Sequence, residues 1–141
     1  MSFKQQQGAG MVEVLVAIVI FSLGLLGMAG LQATGVKANY SAYVSAQAAQ
    51  YAYDMADRMR ANRAAARSGN YDLDMADPAP ACGDIVTCDQ EEWLADIATL
   101  PAGDGSIVVN GDIITIVVQW NDERAGGAAA SVSNITIESS L

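Results

Sequence analysis

The chain contains no histidine and only two cysteines in 141 residues. A histidine-based zinc site, a cysteine-only zinc or iron–sulfur site and a Cys–His nucleophile pair are therefore excluded. Proline is scarce, at three residues, and the thirteen glycines do not make a low-complexity chain. With 52% of residues apolar, wholesale disorder is excluded as well. Basic side chains are few, seven Lys and Arg against sixteen Asp and Glu, for a net charge of -9. That balance speaks against nucleic acid as the main partner, because phosphate affinity is built from cations. What remains is one domain's worth of material.

The few cations are unevenly placed. Residues 1–69 hold six basic and three acidic groups, whereas residues 70–141 hold one basic and thirteen acidic groups. An acidic C-terminal half follows an N-terminal half of different character.

Residues 14–31 carry no formal charge and are nearly all apolar or small; extending back to Met11 adds one acid, Glu13. As a helix, residues 11–31 span about 30 Å, the thickness of a bilayer core. The run is too long for a strand and lacks a period of two. Gly24, Gly27 and Gly30 weaken a helix in water by roughly 1 kcal/mol each, but in membranes they are common and permit close helix approach. The competing readings are a buried helix of a soluble domain and an ordinary single-pass anchor. A domain this small could hardly cover such a helix on all sides. An ordinary secretory signal fits poorly, because no small-x-small cleavage site closes the apolar run and the leader's single charge is Lys4. Glu13 is the pointed feature: a carboxylate in the first turn of a membrane helix is costly unless it is paired. The helix dipole helps it modestly, and a nearby free amino terminus would help more.

The run Gly8-Ala9-Gly10-Met11-Val12-Glu13-Val14-Leu15-Val16-Ala17 resembles the class III signal of type IV prepilins. The resemblance implies a leader over 1–8 that a membrane prepilin peptidase removes after Gly8. It also implies N-methylation of Ala9, which stands where the family usually has Phe, and Glu13 as the fifth mature residue. The segment Phe21-Ser22-Leu23-Gly24-Leu25-Leu26-Gly27-Met28-Ala29-Gly30-Leu31-Gln32 is similar to the helix of PilV-type minor pilins. Asn62-Arg63, the Cys82/Cys88 region, Trp93, Leu100-Pro101-Ala102-Gly103-Asp104-Gly105 and Val118-Gln119-Trp120 extend that likeness over most of the chain.

Further along, residues 36–67 are rich in alanine and free of proline. Tyr40, Val44, Ala48, Tyr51, Met55 and Met59 recur three or four apart as an apolar stripe, with Tyr43, Gln47, Gln50 and Asp54 beside or opposite it. Arg58, Arg60, Arg63 and Arg67 crowd the C-terminal end, where cations suit the helix dipole, and Ser68-Gly69-Asn70 reads as the stop. The pattern predicts one helix over 11–67, about 85 Å long, its first half in lipid or a bundle and its second half against a sheet. The arginines read as a solvated helix end facing the acidic half, or as an inter-subunit docking surface.

Residues 70–101 read as a connector broken at Pro78, Pro80 and Pro101. Cys82 and Cys88 form a disulfide if this region lies in an oxidising compartment; free thiols or a redox pair are the alternatives. A short helix is predicted over 89–97, capped by Asp89 with Glu92 three residues on. Trp93 reads as core or as a binding platform, with Leu94 and Ile97 inward. Strands are predicted over 106–110 and 113–120 around an Asn110-Gly111-Asp112 turn, and over 132–139 after a loop at 122–130 containing Gly126-Gly127. In the second strand Ile114, Ile116, Val118 and Trp120 alternate with Ile113, Thr115, Val117 and Gln119; both sets are fairly apolar, so one face is expected to meet the helix and the other to be only partly exposed. Asp104, Asp112, Asp122 and Glu123 invite a calcium reading but lack an EF-hand spacing, and plain solvated acids are the alternative. No phosphate loop or distinctive carboxylate pair points to an enzyme.

The expected architecture is α+β and type IV pilin-like, a long N-terminal helix packed on a small antiparallel sheet. It divides into a leader at 1–8, a transmembrane or filament-core helix half at 9–35 and a head domain at 36–141. The resemblance implies a non-enzymatic, cofactor-free minor pilin that primes assembly of a type IV pilus. Its implied partners are other minor pilins, the major pilin, the prepilin peptidase and the inner-membrane assembly platform, with membrane contact and no nucleic acid. The implied location is the inner membrane with a periplasmic head, then the extracellular pilus. A type II secretion minor pseudopilin and a pilus-borne adhesive or ligand-binding module are the alternatives.

Overall fold

The structure is a computed structural model that describes residues 10–122 and 132–141. The leader, Ala9, the Gly126-Gly127 loop and Glu123 lie outside the described residues. The elements are helices α1 (Met11–Ala61), α2 (Arg63–Arg67) and α3 (Ile85–Ile97), followed by strands β1 (Asp104–Asn110), β2 (Ile113–Asn121) and β3 (Val132–Ser140). Two compact units divide the chain between Lys37 and Ala38, inside α1.

In the second unit, β1, β2 and β3 form an antiparallel sheet in sequence order. Asn110 pairs with Ile113 across a two-residue turn in which Gly111 adopts φ +64°, a conformation that a β-carbon disfavours. Ile114, Ile116, Val118 and Trp120 are buried and alternate with less buried residues, as a one-sided strand requires. They join a core with Val44, Ala48, Ala52, Met55, Ala56 and Met59 of α1, and with Trp93 and Ile97 of α3. The expected stripe is thus present, with Tyr40 and Tyr51 packed at its margin. Ala52 and Ala56 extend it at positions where small side chains leave room for the sheet and for Trp93. The long helix packed against a three-stranded antiparallel sheet is the type IV pilin-like α+β arrangement.

Three boundaries differ from expectation. The helix predicted over 11–67 is interrupted at Asn62 (φ −114°, ψ 50°), and α2 is a separate turn and a half. Asn62 sends its side-chain amide to the Tyr71 hydroxyl, at 3.4 Å, a contact between distant elements that the helical pattern does not encode. Gly69, at φ +74°, then ends the helical region at the expected place, its N–H donating to Ala66 O. The helix predicted over 89–97 begins four residues earlier. Asp84 is its N-cap, accepting from Thr87 N–H at 2.8 Å while the Thr87 hydroxyl accepts from Asp84 N–H, so the capping box lies one turn before the expected one. The strand predicted from 106 starts at Asp104, because Gly105 is pressed against Trp93: a β-carbon there would lie 2.6 Å from the indole ring.

Candidate functional site

The first unit is read through the part of α1 that ends at Lys37. Helix formation begins at Met11, with Val14 N–H donating to Gly10 O at 3.3 Å, and places Glu13 in the first turn. An 18-residue window has a mean hydropathy of 2.6, and none of it is buried. Leu15, Ile18, Phe21, Leu23, Leu25 and Leu26 are all more than half exposed, on every side of the helix. Gly24, Gly27 and Gly30 have open space within 4 Å of a notional β-carbon. A helix apolar all round and, among the described residues, left uncovered is long and apolar enough to cross a membrane. Val14, Ala17, Ile18, Phe21 and Ser22 line a shallow apolar hollow one turn from Glu13. Gly8 and Ala9, the expected processing residues, lie outside the described residues.

The remaining sequence-predicted residues sit in the head. Cys82 and Cys88 are joined by a disulfide. Cys88 lies in the first turn of α3, so the bridge straps the loop before the helix onto its N-terminal end. Glu91 accepts the Cys82 N–H at 2.9 Å, and the Asp84 carboxyl is held below its usual range by hydrogen bonds from Thr87. Trp93 is wholly buried, its indole N–H donating to Tyr51 O at 2.9 Å, which makes it a core residue.

Of the four arginines, Arg58 and Arg67 meet acids of the C-terminal half, and Arg63 is exposed. Arg58 reaches Asp54 at 2.7 Å, Glu92 at 2.6 Å and Asp89 at 3.5 Å, and the Glu92 hydrogen bond raises its already high pKa further. Arg60 pairs with Asp57 and also donates to Ser139 and to Ser140 O. Arg67 pairs with Asp112 at 2.7 Å. Asp89, expected as a helix cap, instead accepts the Tyr71 hydroxyl at 2.6 Å. Burial and that hydrogen bond push Tyr71 up to about 12. Tyr71 is a core residue that the apolar pattern missed; an aromatic inside the connector was its one signal.

The acids considered for calcium are dispersed among separate tasks. Asp104 accepts from Ala76 N–H at 3.0 Å, Asp112 pairs with Arg67, and Asp122 accepts from the Ser41 hydroxyl at 2.5 Å. Among the described residues no three His, Cys, Asp or Glu side chains are grouped to hold a metal.

Comparison with known proteins finds the prokaryotic N-terminal methylation motif at residues 3–29. No curated protein and no solved structure matches the chain. The matched segment holds Gly8, Ala9 and Glu13 and most of the exposed apolar run. The methylation motif and the long N-terminal helix fit the general type IV pilin and pseudopilin superfamily.

Proposed function

We propose that this chain is a minor pilin, a non-enzymatic structural subunit that primes assembly of a type IV pilus. It is cut after Gly8 by a prepilin peptidase and methylated at Ala9. The observation that carries the reading is a methylation motif at residues 3–29 together with an apolar helix that none of the described residues covers. Such a surface is stable in lipid or in a bundle of like helices, and a subunit that passes from one to the other needs both. Glu13 supplies the assembly contact. Its carboxylate pairs with the methylated amino terminus of the same or a neighbouring subunit, because either charge alone in hydrocarbon costs several kcal/mol. The partners are other minor pilins, the major pilin and the inner-membrane assembly platform. The subunit waits in the inner membrane with its head in the periplasm and ends in the extracellular filament.

Two measurements test this. Intact mass of the membrane-extracted protein should give a chain that starts at methylated Ala9, and Gly8→Ala should abolish that species. Glu13→Ala should leave cleavage and membrane insertion intact while removing the protein from sheared filaments. A start near Gln32, or wild-type incorporation of Glu13→Ala, would refute the assignment. Recovery with secretion-system components rather than pilus components would place it among type II minor pseudopilins.

A further inference from the structure

The core uses only one side of α1 within the head. On the other side Tyr43 and Tyr53 are 63% and 59% exposed, and Ala46, Gln50, Asp54 and Asp57 are exposed beside them. Two large aromatic rings on an open helix face are costly to leave in water and are typical of surfaces covered by a partner. Next to this face, α3 runs alongside α1. Arg58 of α1 meets Asp89 and Glu92, and Tyr51 meets Thr99 just beyond the end of α3. The open groove between them holds about 440 Å³ and is lined by Gln50, Tyr53, Asp54, Asp57, Arg58 and Asp96 among others.

The charges of this groove are unbalanced. Its one cation, Arg58, is already turned to Asp54 and Glu92. Asp57 is engaged by Arg60, whereas the Asp96 side chain has no hydrogen bond or ion pair among the described residues. A neutral or acidic surface laid here would strip water from the Asp96 carboxylate without replacing it. A lysine or arginine would pair with Asp96 and Asp54 and stack on the Tyr53 ring, gaining both a charge-assisted hydrogen bond and a cation–π contact. A second copy of this chain is a poor source. The net charge of -9 makes copies repel, and among the described arginines of the head Arg58, Arg60 and Arg67 are held in intrachain pairs, which leaves Arg63 alone to offer.

We infer that the α1–α3 groove with Tyr53 at its lip is a docking surface for a lysine- or arginine-bearing face of a different pilin-type subunit. The identity of that partner class rests on the proposed function; the demand for a cation rests on the groove alone. The charge sets which neighbour is accepted, since a subunit without the matching cation is repelled.

The test is site-specific photocrosslinking of the full-length protein in its own cells, with a benzophenone amino acid replacing Tyr53. The crosslinked peptide is mapped by mass spectrometry. The expected crosslink falls within a few residues of a Lys or Arg on another protein that carries an N-terminal methylation signal. Its yield should fall roughly tenfold in Asp96→Lys and Asp54→Lys, less in Asp96→Asn, and recover when the mapped cation is exchanged for Glu. Asp54 is exposed and Asp96 half-buried, so the thermal midpoint of each variant is measured to verify that the head still folds. A crosslink to a second copy of this chain, a crosslink to a face without cations, a yield indifferent to charge reversal, or no crosslink overturns the inference. A mapped cation on a protein without that signal keeps the groove and refutes the partner class. Intact mass from the same cells reports separately on cleavage after Gly8, so failure of the pilin reading and failure of the docking surface are distinguishable.

Discussion

Residues 11–37 and residues 38–61 belong to one continuous α-helix, yet their apolar side chains are disposed in opposite ways. In the first stretch leucines, valines and isoleucines point in every direction and none is buried. In the second, Val44, Ala48, Ala52, Met55, Ala56 and Met59 form one buried stripe, and the tyrosines and aspartates lie outside it. The backbone is indifferent to this change. Helicity comes from local hydrogen bonds and the absence of proline, while the solvent each face requires is set by the side chains alone. One helix therefore serves two environments, of which only the second is supplied by the chain itself.

That contrast predicts where a substitution acts. The largest effect should come from Trp93→Ala, which empties the centre of the head and removes the indole's hydrogen bond to the Tyr51 carbonyl; it should cost about 3–5 kcal/mol in the denaturant unfolding of the head. Gly103→Ala comes next. A β-carbon there would sit 2.0 Å from Ile97 O, so backbone must move, at about 3 kcal/mol, seen as a lowered thermal midpoint. Tyr71→Phe removes the hydrogen bond to Asp89 and should cost about 1–3 kcal/mol near pH 7. It should also change the alkaline limb. With a folded value of about 12 against 10.0, Tyr71 stabilises the head fully below pH 10 and loses that contribution as pH rises towards 12. Wild type should therefore lose stability across that window more steeply than Tyr71→Phe.

Asp84→Ala should have a smaller effect, confined to the first turn of α3. The Asp84 carboxyl is depressed in the folded chain, so its contribution is present above its unfolded value and lost as acid protonates it. Wild type and variant should converge in melting temperature at low pH. The smallest effect belongs to Gly27→Ala, in the first part of α1, a glycine without the crowding that Gly103 meets before β1. With open space around it, the substitution should leave the thermal midpoint of the head unchanged. A lowered midpoint there would show that the two parts of α1 are coupled and would break the comparison.

How much of this the sequence disclosed follows the same division. The apolar run with Glu13, the stripe through Met59 and the alternation along Ile114–Trp120 were legible because each obeys a single period over many residues. The start of α3 was not. Asp84-Ile85-Val86-Thr87 and Asp89-Gln90-Glu91-Glu92 both offer a cap with a partner three residues on, and the choice falls on the one that buries Val86 and brings Cys88 within reach of Cys82. The interruption at Asn62 was hidden because its partner, Tyr71, is nine residues away and outside any periodic segment. In the candidate site, the stretch holding Gly8, Ala9 and Glu13 was legible as a motif. The groove at Asp96 was not, since it depends on how α3 lies against α1.

An isolated antiparallel bridge joins Leu73 to Ile107 of β1, and it bears on a different hazard. β1 is a boundary strand of the sheet, and its outward N–H groups would ordinarily template another strand. Here Ile107 N–H donates to Leu73 O at 2.9 Å and Leu73 N–H returns the bond to Ile107 O. On either side, Val109 N–H is held by Asp72 at 2.7 Å and Gly105 N–H by Asp104 at 2.7 Å. Each donor along that margin is spoken for, two of them by carboxylates that would repel an approaching acidic chain. Amyloid-like stacking through β1 is thereby suppressed, which suits the role proposed above, of a subunit packed among others and joined to them through its helix.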